Sequence, residues 1–142
     1  MKRLLLAALV ASLPAQAQNL RMGVGAQITS ADPHFHNLGP NNQLMKTIFD
    51  PLVDTDDQQR ISPRLATSWR TVTPTSWEFK LRKGVKFSDG SAFDAYDVIY
   101  SACRIPLVKD SPSRFTTYTK AAVRFEVPDP HTLIVHTKSP YP

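Results

Sequence analysis

The segment Trp77–Ser101, W-E-F-K-L-R-K-G-V-K-F-S-D-G-S-A-F-D-A-Y-D-V-I-Y-S, carries local instructions for a strand, a turn and a helix in succession. Trp77, Phe79 and Leu81 alternate with Glu78, Lys80 and Arg82, so an extended strand here has one apolar and one charged face. Gly84 and Asp89-Gly90 reverse the chain, glycine being the residue that accepts positive φ without steric cost. Val85 and Phe87 then return toward the core side. Asp94 stands where a helix N-cap is needed, and Asp97, three residues on, supplies the acidic partner of a capping box. Ala95, Val98, Ile99 and Ala102 follow the i, i+3, i+4, i+7 spacing of an amphipathic helix, which Pro106 ends. A strand with one apolar face followed by a helix with one apolar stripe requires mixed α/β packing. The stretch holds no obvious catalytic group.

The chain opens with a targeting pattern. Met1-Lys2-Arg3 is basic, Leu4–Leu13 is apolar and uncharged, and Pro14-Ala15-Gln16-Ala17 ends in an A-x-A cleavage pattern. Residues 1–17 therefore read as a cleavable secretory signal peptide, the apolar run being too short to span a bilayer. Removing Lys2 and Arg3 from the 17 basic residues leaves 15 against 12 acidic ones, a mild net charge of +3. The densest basic cluster, Lys80, Arg82, Lys83 and Lys86, sits in one strand-turn region and reads as a solvated sheet face, so no nucleic-acid partner is expected. Cys103 is the only cysteine, so no intramolecular disulfide can form and the fold must rest on its core. The residue directly after the cleavage site is Gln18 and not a cysteine. The expected product is soluble, periplasmic and not lipid-anchored.

Elsewhere the pattern alternates between short elements. Leu20–Val24 reads as a strand, Ser30-Ala31-Asp32-Pro33 as a turn and His34–Pro40 as a loop. Asn41 or Asn42 is the expected cap of a helix over Gln43–Phe49, with Pro51 beyond it. Leu52–Asp54 reads as a strand, Asp56–Gln59 as a polar turn, and Pro63–Trp69 as a helical turn leading into a strand through Val72. Thr73–Ser76 is a turn. Val123–Val127 and Leu133–Thr137 alternate as the two arms of a hairpin joined by a longer loop at Pro128–His131.

Candidate chemistry is sparse. Gly23-Val24-Gly25 opens like a dinucleotide fingerprint, but the third glycine and the following helix are missing. His34 and His36 share a face in extended backbone, yet no further ligand stands at metal-site spacing. Cys103, beside the apolar stripe of the second helix, reads as a small core side chain without a base to activate it. Asp89, Asp94 and Asp97 do not match a calcium loop, and turn and cap roles account for Asp89 and Asp94. The sequence also lacks a nucleophile elbow, a zinc-binding H-E-x-x-H helix and a phosphate loop. The residues point to no cofactor, no metal and no catalytic set, and favour binding over catalysis.

Trp77–Ser101 resembles the signature region of the extracellular solute-binding proteins of family 5. Ser30–His34 (S-A-D-P-H), Ile48–Val53 (I-F-D-P-L-V), Pro63–Trp69 (P-R-L-A-T-S-W) and Val127–Val135 (V-P-D-P-H-T-L-I-V) are similar to the same family's N-terminal pattern, in order. The resemblance implies an α/β fold, the N-terminal part of a two-lobe periplasmic-binding-protein architecture. Residues 18–59 would form the first segment of lobe one and residues 60–142 part of its extra subdomain, truncated before the second lobe. It further implies capture of peptides, or a related small solute, for an ABC importer. The expected partners are the ligand and the permease subunits at the membrane, with the binding protein a monomer. By the same resemblance, His36, Asn37, Leu38 and Gly39 are the ligand-proximal residues, where lobe-one backbone can pair with an extended peptide. A secreted hydrolase with catalytic residues beyond Pro142, and a nickel- or metal-chelate-binding relative, are the alternatives.

Overall fold

The computed structural model describes Arg21, Gly23 and residues 25–141. The signal-peptide reading lies outside the described residues, as does most of the strand expected at Leu20–Val24. The described elements are, in order, α1 (Gly39–Ile48), β1 (Val53–Thr55), β2 (Ile61–Pro63), β3 (Ala66–Thr73), β4 (Ser76–Leu81), α2 (Ala95–Arg104), a 3-10 turn (Ile105–Leu107), α3 (Thr116–Thr119), β5 (Ala122–Asp129) and β6 (Thr132–Thr137).

Strands β3 to β6 form one antiparallel sheet in the order β3-β4-β6-β5, while β1 and β2 form a separate hairpin. The sheet's inner face is set by register. Trp69 lies opposite Phe79, and Phe79 opposite Leu133, while Val135 is flanked by Trp77 and Phe125. Such aromatic and branched pairs across adjacent strands are the unit of sheet stabilisation. The other face is polar. Arg70 pairs with Glu78 at 2.8 Å, and the Lys80 ammonium donates to the Thr132 hydroxyl at 3.0 Å. Alternation along Trp77–Arg82 thus becomes one packed and one wet face.

The core comprises Ala66, Leu81, Phe93, Ala95 and Leu133, with Val98 and Ile99 of α2 packed against it. Helix α2 starts as its sequence demands: the Tyr96 N–H donates to the Asp94 carboxylate at 2.7 Å, and the Asp94 N–H to the Asp97 carboxylate at 2.8 Å. Gly84 and Gly90 have φ of 73° and 90°, as chain reversal there requires.

Several local expectations are corrected. Helix α1 begins at Gly39 with Pro40 in its first turn; Leu38 is its N-cap residue and makes no side-chain cap. Asn41 lies inside the helix, 1% exposed, and does not cap it. The segment at Pro63 belongs to strand β2 and contains no helical turn. The β5–β6 connection is a tight Pro130-His131 turn, because pairing continues to Asp129 and Thr132. Phe87 is 47% exposed, with its ring edge-on to Phe93 of the core at 6.2 Å between centroids. Cys103 is exposed on α2.

Candidate functional site

The segment Thr29–Gly39 carries the residues expected to face a ligand, and three sets of contacts hold it. The first is the Ser30-Ala31-Asp32-Pro33-His34 turn. The Ser30 hydroxyl accepts from the Asp32 N–H at 3.0 Å, and the Asp32 carboxylate accepts from the His34 N–H at 2.9 Å. Arg104, the last residue of α2, then grips the turn. Its guanidinium donates to both Asp32 oxygens, at 2.9 and 2.5 Å, and to Nδ1 of His34 at 3.0 Å. The Arg104 hydrogen bond holds the Asp32 carboxyl at a pKa of about 2 against the opposing effect of burial, with further lowering from the His34 N–H. Burial pushes the His34 imidazole below its ordinary value, the neighbouring Arg104 charge adds to that, and Asp32 opposes it.

The second set anchors the loop to α1. Asn41 Oδ1 accepts from the Thr29 N–H at 3.2 Å, and Asn41 Nδ2 donates to the Thr29 hydroxyl at 3.0 Å. That hydroxyl is also 2.8 Å from Nδ1 of His36. The third set ties the loop to the segment before α3. Ser111 donates its hydroxyl to the Phe35 carbonyl at 2.6 Å, and the Asn37 N–H donates to the Ser113 carbonyl at 2.9 Å. His36 and Ser113 form an isolated parallel bridge.

Within this frame His36, Asn37 and Leu38 are half-buried and Gly39 is exposed. Two of the loop's backbone donors are already engaged, Asn37 to Ser113 and Leu38 to the His36 carbonyl at 2.9 Å. The Leu38 carbonyl accepts from the Asn42 N–H at 2.8 Å, and Asn42 Nδ2 donates to Asn37 Oδ1 at 2.9 Å. A peptide lying along this loop would therefore meet the Asn37 carbonyl and the exposed surface of Gly39 rather than a free row of N–H groups. Around Gly39 a Cβ would meet nothing within 4 Å, so the approach is open. His34 and His36 point to different partners, and among the described residues no group of three or more His, Cys, Asp or Glu side chains could hold a metal ion.

Two surface clefts are lined by no residue of Thr29–Gly39. One, of about 420 Å³, is lined by Lys80, Arg82, Lys83 and His131 together with Asp129 and Thr132. The other, of about 310 Å³, lies where Cys103 and Pro106 face α3 and Phe125. Sequence reasoning missed Arg104, Ser113 and Thr29 as supports of the loop. The contact between Arg104 and Asp32 spans 72 residues, so no local pattern marks it.

The model of the bacterial extracellular solute-binding proteins, family 5, middle region, matches residues 60–142. This chain belongs to that family. It is similar to the periplasmic oligopeptide-binding protein OppA of Haemophilus influenzae, with 27% identity over 89% of this chain and 27% of the relative. It is also similar to the glutathione-binding protein GsiB of Escherichia coli, with 30% identity over 94% of this chain and 26% of the relative. Among solved structures it resembles OppA of Burkholderia pseudomallei, with a TM-score of 0.74 at 25% identity over 83% of this chain and 26% of that one. NikA of Brucella suis, in complex with Fe(III)-EDTA, has a TM-score of 0.60 at 28% identity over 80% of this chain and 23% of that one. The family-5 chain described here thus spans about a quarter of the length of the relatives it matches, and its mixed α/β fold is that of part of an OppA-type binding protein.

Proposed function

We propose that this chain is the N-terminal part of a periplasmic solute-binding protein that captures peptides for an ABC importer and hands them to membrane permease subunits. The observation that carries this reading is the family match over residues 60–142, joined to relatives named for oligopeptide and glutathione binding. Glutathione is itself a tripeptide, so both names describe one ligand chemistry, a short chain with amide groups and charged ends. The loop His36–Gly39 supplies one wall of the ligand site, with the Asn37 carbonyl and the open approach at Gly39 as the points of contact. The protein binds without transforming its ligand, as a monomer, and export by residues 1–17 delivers it to the periplasm without a lipid anchor. The division into a lobe-one segment at residues 18–59 and part of an extra subdomain at residues 60–142 belongs to this reading. The β1–β2 hairpin ties the two together, since Val53 pairs with Pro63.

One wall of a closing site binds weakly, because the interactions that would enclose the ligand come from the opposing wall. Isothermal titration of the chain with an alanine tripeptide is expected to give a dissociation constant of roughly 1 mM, corresponding to about −4 kcal/mol. Nickel(II) is expected to give no saturable heat. Saturable nickel binding in the micromolar range, abolished by His34→Ala with His36→Ala, would replace the peptide reading with a metal-carrier one.

A further inference from the structure

We propose that Arg104 is the positioning residue of the ligand-facing loop, and that its grip is released when His34 takes up a proton. The inference rests on the reading of His36–Gly39 as ligand-facing. Guanidinium has hydrogen-bond donors only. Arg104 uses both terminal nitrogens on the Asp32 carboxylate and a second N–H of one of them on His34 Nδ1. His34 Nδ1 must therefore be the unprotonated, accepting nitrogen, and the ring's proton sits on Nε2. A proton added to Nδ1 turns that acceptor into a donor aimed at a cation 3.0 Å away. The bond is lost, and a like-charge repulsion takes its place.

Among the described residues, the charges that bear on His34 are Asp32, on its own turn, and Arg104, at the end of α2; Tyr100, one turn earlier on that helix, bears on Arg104. Asp32 alone would favour the imidazolium, but its carboxylate is already paired through both oxygens with Arg104. The sign of the pH effect follows. Folding favours neutral His34, so the contribution of this contact is complete above the unfolded pKa of about 6.5 and is lost as pH falls below it. The loop begins two residues after His34, so loosening this turn removes one of the three sets of contacts that hold His36 and Asn37 while the sheet stays intact.

Amide hydrogen exchange on the chain tests this without any ligand. The Asn37 and Leu38 N–H groups report the loop, and the amides of Phe79 and Leu133 in the β4–β6 ladder report the sheet. After correction for intrinsic rates, protection of Asn37 and Leu38 is expected to fall on the order of tenfold between about pH 7.5 and 5.5 while the sheet amides hold. His34→Asn keeps a neutral acceptor for Arg104 at the place of Nδ1 and is expected to remove the pH dependence, leaving protection within about twofold across that range. Arg104→Lys keeps the charge but loses the fork, and is expected to lower loop protection at both pH values. Wild-type loop protection that does not change with pH, or a His34→Asn variant that loses protection as steeply as wild type, would overturn the proposal. If Arg104→Lys unfolds, the first two proteins decide alone. A loop that responds in this way but never senses a peptide would leave the clamp standing and remove the ligand-facing reading.

Discussion

Replacing Leu133 by alanine is expected to lower the stability of the chain by about 3 kcal/mol and its thermal midpoint by roughly 10 °C. Leu133 is the largest hydrophobic side chain in the core that is fully buried, at 1% exposure. It lies on the central strand β6, directly opposite Phe79 of β4, and packs with Ala66, Leu81, Phe93 and Ala95. Strands on both sides and α2 fix those neighbours, so the space left by three missing heavy atoms cannot collapse, and a cavity cost adds to the lost transfer energy. The effect is a large share of the margin by which a domain of this size stays folded, about 5–15 kcal/mol. Val123→Ala on the neighbouring strand is the control. That side chain is 61% exposed, and a change within about 0.5 kcal/mol is expected. Urea unfolding followed by circular dichroism separates the two, and equal midpoints for both variants would show that the core lies elsewhere.

Asn41→Ala is expected to cost about 2 kcal/mol, from the two lost hydrogen bonds between a buried amide and the exposed Thr29. Asn41 is 1% exposed, and its amide completes both bonds to Thr29. The loss has a local signature as well. The Thr29 hydroxyl also meets His36, so the loop is expected to loosen before the sheet does. Urea titration gives the global value. Exchange of the Asn37 amide against that of Phe79 gives the local one. A variant with the wild-type urea midpoint would mean that Asn41 adds nothing to the attachment of Thr29.

What was legible in the sequence was local. The Asp94–Asp97 capping box, the reversals at Gly84 and Gly90, and the inner-face row through Trp69 and Phe79 are all written within a few residues of where they act. What was not legible depends on phase or distance. Cys103 stands eight positions beyond Ala95, about 80° around the helix from it, which is far enough to turn the thiol from the stripe formed by Val98, Ile99 and Ala102 into solvent. Asn41 looked like a cap because asparagine favours that place. Pro40, however, lets α1 begin at Gly39, and Thr29, twelve residues earlier, occupies the asparagine amide instead. Only the family resemblance points to the loop His36–Gly39. Its supports at Arg104, Ser111 and Ser113 lie far away in the chain, Arg104 reaching His34 across 70 residues and Ser111 reaching Phe35 across 76, and leave no trace in the local pattern.

Titrating the nitrogen-15-labelled chain with an alanine tripeptide into the millimolar range, and following each backbone amide, shows whether this loop meets a peptide. Saturable shifts are expected at His36, Asn37, Leu38 and Gly39, with the amides of Phe79 and Leu133 unmoved. Shifts confined to the basic cleft at Lys80–Lys83, or none at all in a folded chain, would rule out a ligand-facing loop.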